Sequence, residues 1–284
     1  MSDKLFKIIL SSSAVIILLI SGGMVYSLTS GSIPAFKEFG FFNFIFSPEW
    51  NATPGKEEYG ALTFIVGTIM TSLLALLFCI PFSFPVAIFI GEYFKGKRIA
   101  SVLGTIVDLL AGIPSIVYGL WGFYVLRPLI VSLGLSEQGF GVLTSSLVLA
   151  IMIIPYAASL SSEFIRLVPG ELKEGAYSLG ATRAEVIQNI IFPVAGPGIF
   201  SAYMLALGRA FGETMAVTML IGNANIIPTS LTDTGNTMAS IIANQFGEAG
   251  GLKLSSLIAI GLLLFIITAI INYIGKLIIK RRNQ

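Results

Sequence analysis

Arg209 and Glu213 stand four residues apart inside a long apolar run, ALGRAFGET at 206–214, of this 284-residue chain. A charged side chain in the middle of a membrane helix costs about 2.5 to 3.5 kcal/mol on insertion scales, so each needs a partner or a watery path. Four-residue spacing puts both on one helix face, where they can neutralise one another. Gly208 and Gly212 form a small-residue stripe about 100° round the same helix, suited to close approach of a neighbouring helix. Two chemistries fit the pattern. One is a structural ion pair that fixes the helix orientation. The other is an anion path, in which the planar guanidinium fork of Arg209 attracts an oxyanion and Glu213 keeps it from being held too tightly.

Other reactive groups are scarce. The segment GEYFKGKR at 91–98 nearly matches the phosphate-cradling G-x-x-x-x-G-K-[ST] pattern, but Arg98 occupies the position of the magnesium-holding Ser or Thr. The segment also ends an apolar helix instead of following a strand, so Lys95, Lys97 and Arg98 are read as a basic membrane anchor. There is no histidine, and Cys79 is the one cysteine. Metal sites built on His or paired Cys are therefore excluded, as is an intrachain disulfide, and Cys79 is expected to be packing. With no H-E-x-x-H and no G-x-S-x-G, an intramembrane enzyme has nothing to work with. No metal, cofactor or nucleotide is expected to be bound by this chain.

The elements that must position these residues are membrane helices. The chain is 55% hydrophobic and 11% charged, against about 25% charged in soluble domains, so most of it cannot face water. Six apolar segments reach the length of roughly 20 residues needed to cross a bilayer: 8–28, 61–90, 99–126, 140–164, 194–221 and 252–279. With a cytoplasmic N-terminus, the inside holds Lys4, Lys7, Lys95, Lys97, Arg98, Arg166, Lys173, Arg183, Lys276, Lys280, Arg281 and Arg282, against Lys37, Lys56, Arg127 and Lys253 outside. The positive-inside rule then predicts both termini in the cytoplasm. A cleaved leader at the first segment is the alternative, since Lys4 and Lys7 precede the apolar run and Ser21, Gly22 and Gly23 follow it. Against it, no Ala-x-Ala site is evident and the apolar run continues through Leu28.

Between the fourth and fifth spans lies a polar island, RLVPGELKEGAYSLGATRAEVIQNIIFP at 166–193. Val168, Leu172, Ala176 and Leu179 fall on one helical face, with Glu171 and Glu174 in the first turn where the dipole favours them. Gly180 interrupts this helix. Thr182 with Glu185 has the form of a capping box opening a second short helix through Val186 and Ile190, stopped by Pro193. The expected result is a helix, a turn and a helix lying flat at the membrane surface.

Here the chain resembles the permease subunits of ATP-binding-cassette importers. Their cytoplasmic loop is matched by Glu174, Gly175 and Ala176, then Gly180, then Ile190, Ile191, Phe192 and Pro193, with Gly175 replacing an Ala and Phe192 a Leu. The run GRAFGETMAVTMLIGN at 208–223, with AGIPSIVYGL at 111–120, is similar to the permeases of phosphate-specific importers; after Thr214 it looks like one of their two sister permeases more than the other. The resemblance implies an all-α, six-helix membrane protein with the type I importer permease fold. It implies three kinds of partner: a second, sister permease, an ATPase dimer and an extracytoplasmic phosphate-binding protein. ATP and magnesium would be bound by the ATPase. Residues Glu174, Gly175, Ala176, Gly180, Ile190 and Pro193 would then dock into the ATPase, and Arg209 and Glu213 would border the phosphate path in the cell membrane of a prokaryote. Another oxyanion as cargo stays open, as does the sister permease. A secondary transporter would leave the polar island without a purpose, and no inverted repeat is evident.

The domain division expected is 1–60, an N-terminal membrane helix with an external aromatic loop, and 61–284, the permease domain carrying the loop 166–193. Phe39, Phe41, Phe42, Phe44, Phe46 and Trp50 are expected to rest on the outer membrane interface. Asp108, about 15 Å beyond Lys97 along a helix, is expected to find a partner inside the bundle, with Gly112 and Pro114 bending the span after it.

Overall fold

The computed structural model describes residues 3–53 and 55–282. The side chains of Lys4, Lys280, Arg281 and Arg282, counted above for orientation, lie outside what it describes. Among the described residues, six helical stretches are long and apolar enough to cross a membrane.

The chain runs from α1 (Asp3–Phe39) and α2 (Phe41–Phe46) through a small hairpin, β1 (Trp50–Asn51) with β2 (Glu58–Tyr59), into α3 (Leu62–Ile88), which ends in a π-turn, Phe89–Tyr93. Next come α4 (Arg98–Ala111), α5 (Ser115–Trp121), a second π-turn at Gly122–Leu126, α6 (Arg127–Ser132) and α7 (Val142–Arg166). The polar island forms α8 (Gly170–Ser178), α9 (Arg183–Val186) and a third π-turn, Ile187–Ile191, leading into α10 (Phe192–Phe211). The chain closes with α11 (Met215–Leu220), α12 (Met238–Gln245), a short 3₁₀ turn and α13 (Gly251–Arg282).

α7 is the hub, packed against α3, α4, α5, α10 and α11. The two helices bring small buried residues together, Ser145, Ser146, Ala157 and Ser161 on α7 and Thr71, Ser72 and Ala75 on α3. Lipid offers no less apolar a surface than a helix face, so membrane helices associate by close packing and hydroxyl bonds. Ser146 accordingly donates across the interface to the Thr71 carbonyl at 3.1 Å. Cys79 is buried among Leu149, Ile153 and Ala157 with its thiol 3.5 Å from the Ser83 hydroxyl.

α1 packs on α13. Pro34 removes a ladder hydrogen bond there, and Ser255 of α13 inserts into the opened turn: the Ala35 N–H donates to Ser255 Oγ at 3.0 Å, and that hydroxyl donates to the Gly31 carbonyl at 2.7 Å.

The aromatic loop departs from expectation. Phe44 is fully buried and Trp50 packs edge-on against Tyr59 and Phe64, at 4.8 and 5.1 Å between centroids. Phe41, Phe42 and Phe46 alone of the cluster's large faces point outward. The hairpin and α2 bring these rings together over the end of α3, so half the cluster is core and not an interfacial belt.

Two expected spans are broken. The third reads as one bent helix over 99–126, but α4 stops at Ala111 and the crossing stretch is Ser115–Ser132. Pro114 supplies no N–H and forces Ile113 out of helical conformation, which splits the segment. The fifth runs unbroken from Arg183 to Phe211 and then breaks at Gly212. Pro193 does not stop a helix. It sits in the first turn of α10, where the missing donor costs nothing, and the π-turn before it carries α9 straight into the span.

Candidate functional site

The breaks in the third and fifth spans meet, because α5 packs on α11. Two glycines allow this: a Cβ on Gly119 would lie 3.1 Å from the Ala216 backbone and 2.8 Å from the Met219 sulfur, and one on Gly122 would lie 2.8 Å from Leu220. The carbonyls freed at the end of α4 are capped by tyrosines. Tyr118 donates to the Leu110 carbonyl at 2.9 Å, and Tyr156, from the middle of α7, donates to the Ala111 carbonyl at 3.1 Å. The Arg209 guanidinium lies over the Tyr156 ring, 4.0 Å from its centroid. One tyrosine thus joins both breaks.

Arg209 and Glu213 do not pair. No ion pair joins them among the described residues, because α10 ends at Phe211 and position 213 has left the helical face on which four-residue spacing would place it. Glu213 instead accepts a 3.4 Å hydrogen bond from the Ala216 N–H and so caps α11. Arg209 Nε is buried without an acceptor among the described residues. A buried donor left unmet is unusual in a native fold. Gly208 turns toward α13, but a Cβ there would sit in ordinary contact 3.8 Å from the Asn272 amide, so the approach does not require glycine, and Gly212 faces only its own helix.

Beyond α11 a hydrogen-bonded polar lane continues. Thr218 Oγ1 donates to Ser240 Oγ at 2.9 Å, and Ser240 Oγ and Asn244 Nδ2 donate to Asn223 Oδ1 at 2.9 and 3.0 Å. Asn223 takes a left-handed φ of 54°, stabilised by its own side-chain bond to the Thr218 carbonyl at 2.8 Å. Asp108 was expected inside the bundle. It is exposed on α4 and makes no ion pair among the described residues, because α4 turns its Ala100 and Val107 face to α7 and leaves position 108 on the far side.

At the polar island, the capping box forms as expected. Thr182 Oγ1 accepts from the Glu185 N–H, and the Glu185 carboxylate accepts from the Thr182 N–H at 2.7 Å and hydroxyl at 2.8 Å. Those bonds hold the Glu185 carboxyl below the usual carboxylate range. Gly180 has φ 87°, the left-handed conformation that ends α8. A Cβ on Gly175 would meet nothing within 4 Å, which explains why this position has no need of Ala. Glu174 is exposed, Ala176 and Ile190 are half-buried, and Pro193 is exposed beside a cavity shared with Gln188, Phe192, Gly196 and Pro197.

The predicted apolar face of α8 packs on this chain only in part: Val168 is buried and Ala176 lies against the cluster of Val186, Ile187 and Ile191. Leu172 is 47% and Leu179 90% exposed, and the buried residue of α8 is Lys173, ion-paired with Glu92. Helical periodicity missed Lys173, Glu92, Tyr156 and Tyr118. The one local signal was chemical: a tyrosine in mid-span and an acid at the C-terminal end of α3 both need polar partners.

Residues 83–284 match the family described as binding-protein-dependent transport system inner membrane component. The chain belongs to this family. Among relatives of this permease, the phosphate transport system permease protein PstC of Mesorhizobium japonicum is 42% identical over 99% of this chain and 91% of its own length. PstC of Pasteurella multocida is 41% identical over 98% and 92%, and the probable PstC of Methanocaldococcus jannaschii 37% identical over 89% and 86%. A chain of the inward-facing MetNI methionine ABC transporter superposes with TM-score 0.63 at 18% identity, covering 79% of this permease and 98% of that chain. A chain of an amino acid ABC transporter gives 0.54 at 19%, covering 77% and 92%. The fold is an all-α, multi-pass membrane bundle of the type I importer permease class.

Proposed function

We propose that this chain is one of two permease subunits of an ATP-driven importer and forms half of a path for inorganic phosphate. The observation that carries the cargo is its identity of 42% over nearly the whole chain to a relative named as a phosphate permease. The polar-island end faces the cytoplasm, as the positive-inside count favours. There Leu172, Tyr177 and Leu179, exposed on and beside α8, enter a groove of a separate ATPase subunit, which binds ATP and magnesium and hydrolyses the nucleotide. A sister permease and an extracytoplasmic phosphate-binding protein complete the assembly.

Nucleotide binding closes the ATPase dimer and moves α8 and α9, and that movement tips the spans to open the path outward; resetting after hydrolysis exposes the cargo inward. Arg209 attracts the anion where the two broken spans meet. Its guanidinium rests on Tyr156 and its Nε has no acceptor among the described residues, so hydrogen-bonding capacity remains for a passing oxyanion. Glu213, engaged at the cap of α11, leaves negative charge close by in sequence and keeps the phosphate from lodging.

The test is reconstitution. Proteoliposomes holding both permeases, the ATPase and the binding protein are expected to accumulate radiolabelled phosphate only with ATP inside the compartment that faces the ATPase. Accumulation by this chain alone, or uptake indifferent to nucleotide, refutes the reading.

A further inference from the structure

Three basic residues from three elements converge on one turn. Arg166, the last residue of α7, donates to the Ile90 carbonyl at 3.5 Å. Lys173 of α8 is ion-paired with the Glu92 carboxylate, and the two side chains are 9% and 10% exposed. Arg183, opening α9, donates to the carbonyls of Glu92 at 3.3 Å and Tyr93 at 2.7 Å and lies 4.2 Å from the centre of the Tyr93 ring. All four acceptors belong to the π-turn Phe89–Tyr93 that ends α3. The turn itself is pressed against α7, since a Cβ on Gly91 would lie 2.9 Å from the Ser162 carbonyl.

This is an unusual way to fasten a surface helix. Such helices ordinarily bury an apolar stripe; α8 contributes Ala176 to the apolar cluster of Val168, Val186 and Ile191, but its fully buried residue is a lysine and its leucine points outward. Apolar contacts are non-directional and let helices slide. A buried, hydrogen-bonded ion pair is directional, and breaking it by removal of one partner leaves an uncompensated charge. The fastening therefore resists shear as well as separation.

We infer that Glu92, Lys173 and Arg183 are positioning residues for transport: they weld both short helices of the cytoplasmic loop to α3, so that displacement of the loop is delivered to α3 without slip. The far end of α3 is equally fixed. A Cβ on Gly67 would lie 2.0 Å from the Asn236 carbonyl, and Thr68 Oγ1 accepts from the Met238 N–H at 2.9 Å. Residues 62–93 thus form one continuous helical stretch of 32 residues, with Pro81 and Pro85 inside it, linking the loop to the segment that carries the polar lane. The inference rests on the reading of this chain as an ATP-driven permease subunit.

The experiment compares phosphate imported per ATP hydrolysed in proteoliposomes of the complete complex. Lys173→Met and Arg183→Gln are expected to lower this ratio about tenfold, within the range a coupling free energy spans, in complexes that still contain the ATPase. The exchange Glu92→Lys with Lys173→Glu is expected to restore most of it. A wild-type ratio in either assembled single variant overturns the inference, as does an exchange no better than Lys173→Met. Should Lys173→Met fail to assemble, Arg183→Gln decides alone, because that side chain is exposed and its loss leaves no buried charge. Failure of the unmodified complex to import phosphate with ATP would instead overturn the functional reading beneath it.

Discussion

Arg209 keeps its guanidinium on the Tyr156 ring and its Nε without an acceptor among the described residues, while Tyr156 uses its hydroxyl to hold the end of α4. The two tyrosine groups therefore do separable jobs. Arg209→Gln is expected to cut phosphate uptake about ten- to hundredfold, the worth of a charge-assisted hydrogen bond, with the complex still assembling; radiolabelled uptake beside subunit stoichiometry measures both. Tyr156→Phe keeps the ring under Arg209 but leaves the Ala111 carbonyl unmet. It is expected to lower stability by about 1 to 3 kcal/mol, read as an earlier thermal transition in detergent, with a smaller loss of uptake than Arg209→Gln. The sequence made Arg209 and Glu213 conspicuous because charges in apolar runs are conspicuous. Their partners were not legible, since Tyr156 lies 53 residues away and the break at Gly212 removed the register on which an intrahelical pair depended.

Among the elements, the loop 166–193 was the most legible, and for a physical reason. Capping boxes and left-handed glycines are local devices whose residues sit within four positions of one another, and Thr182, Glu185 and Gly180 adopt the conformations their types favour. What periodicity got wrong was the direction of α8. Of its apolar face Val168 and Ala176 turn to the chain's own core while Leu172 and Leu179 stay exposed, and the buried lysine pairs with an acid 81 residues away. Gly180→Asp places a side chain at φ 87°, a strain of about 1 to 2 kcal/mol, and adds charge beside the exposed Leu179. The expected outcome is loss of ATPase association and of nucleotide-driven uptake with normal membrane insertion. Glu174→Lys, at an exposed position whose side chain makes no hydrogen bond or ion pair among the described residues, is expected to insert normally and uncouple in the same assay. The depressed carboxyl of Glu185 gives the cap a pH signature. Its contribution is present above the unfolded carboxylate value and is lost as pH falls through the lower folded one. The amides of Thr182 and Glu185, bonded within the cap, should stay protected from hydrogen exchange through mildly acidic pH, and Thr182→Ala should remove the protection of the Glu185 amide at every pH.

For the whole molecule, composition sufficed to place the chain in a bilayer and to count its crossings, because length and apolarity set both. The breaks in the third and fifth spans, and the burial of Phe44 and Trp50, depend on which segments meet, and that is settled by close contacts between distant small residues. Gly67 is the sharpest of these. Gly67→Ala drives a methyl into the Asn236 carbonyl and is expected to destabilise the fold by about 1 to 3 kcal/mol, seen as reduced yield and an earlier melting transition. The burial of Cys79 has a practical consequence. With the chain's one thiol shut away between α3 and α7, maleimide dyes and spin labels should leave the native protein unmarked under non-denaturing conditions. A cysteine placed at position 179 and a second at position 42, both strongly exposed, would then carry a reporter pair spanning the two ends of the bundle, and their separation could be followed through a turnover without first stripping out any natural residue.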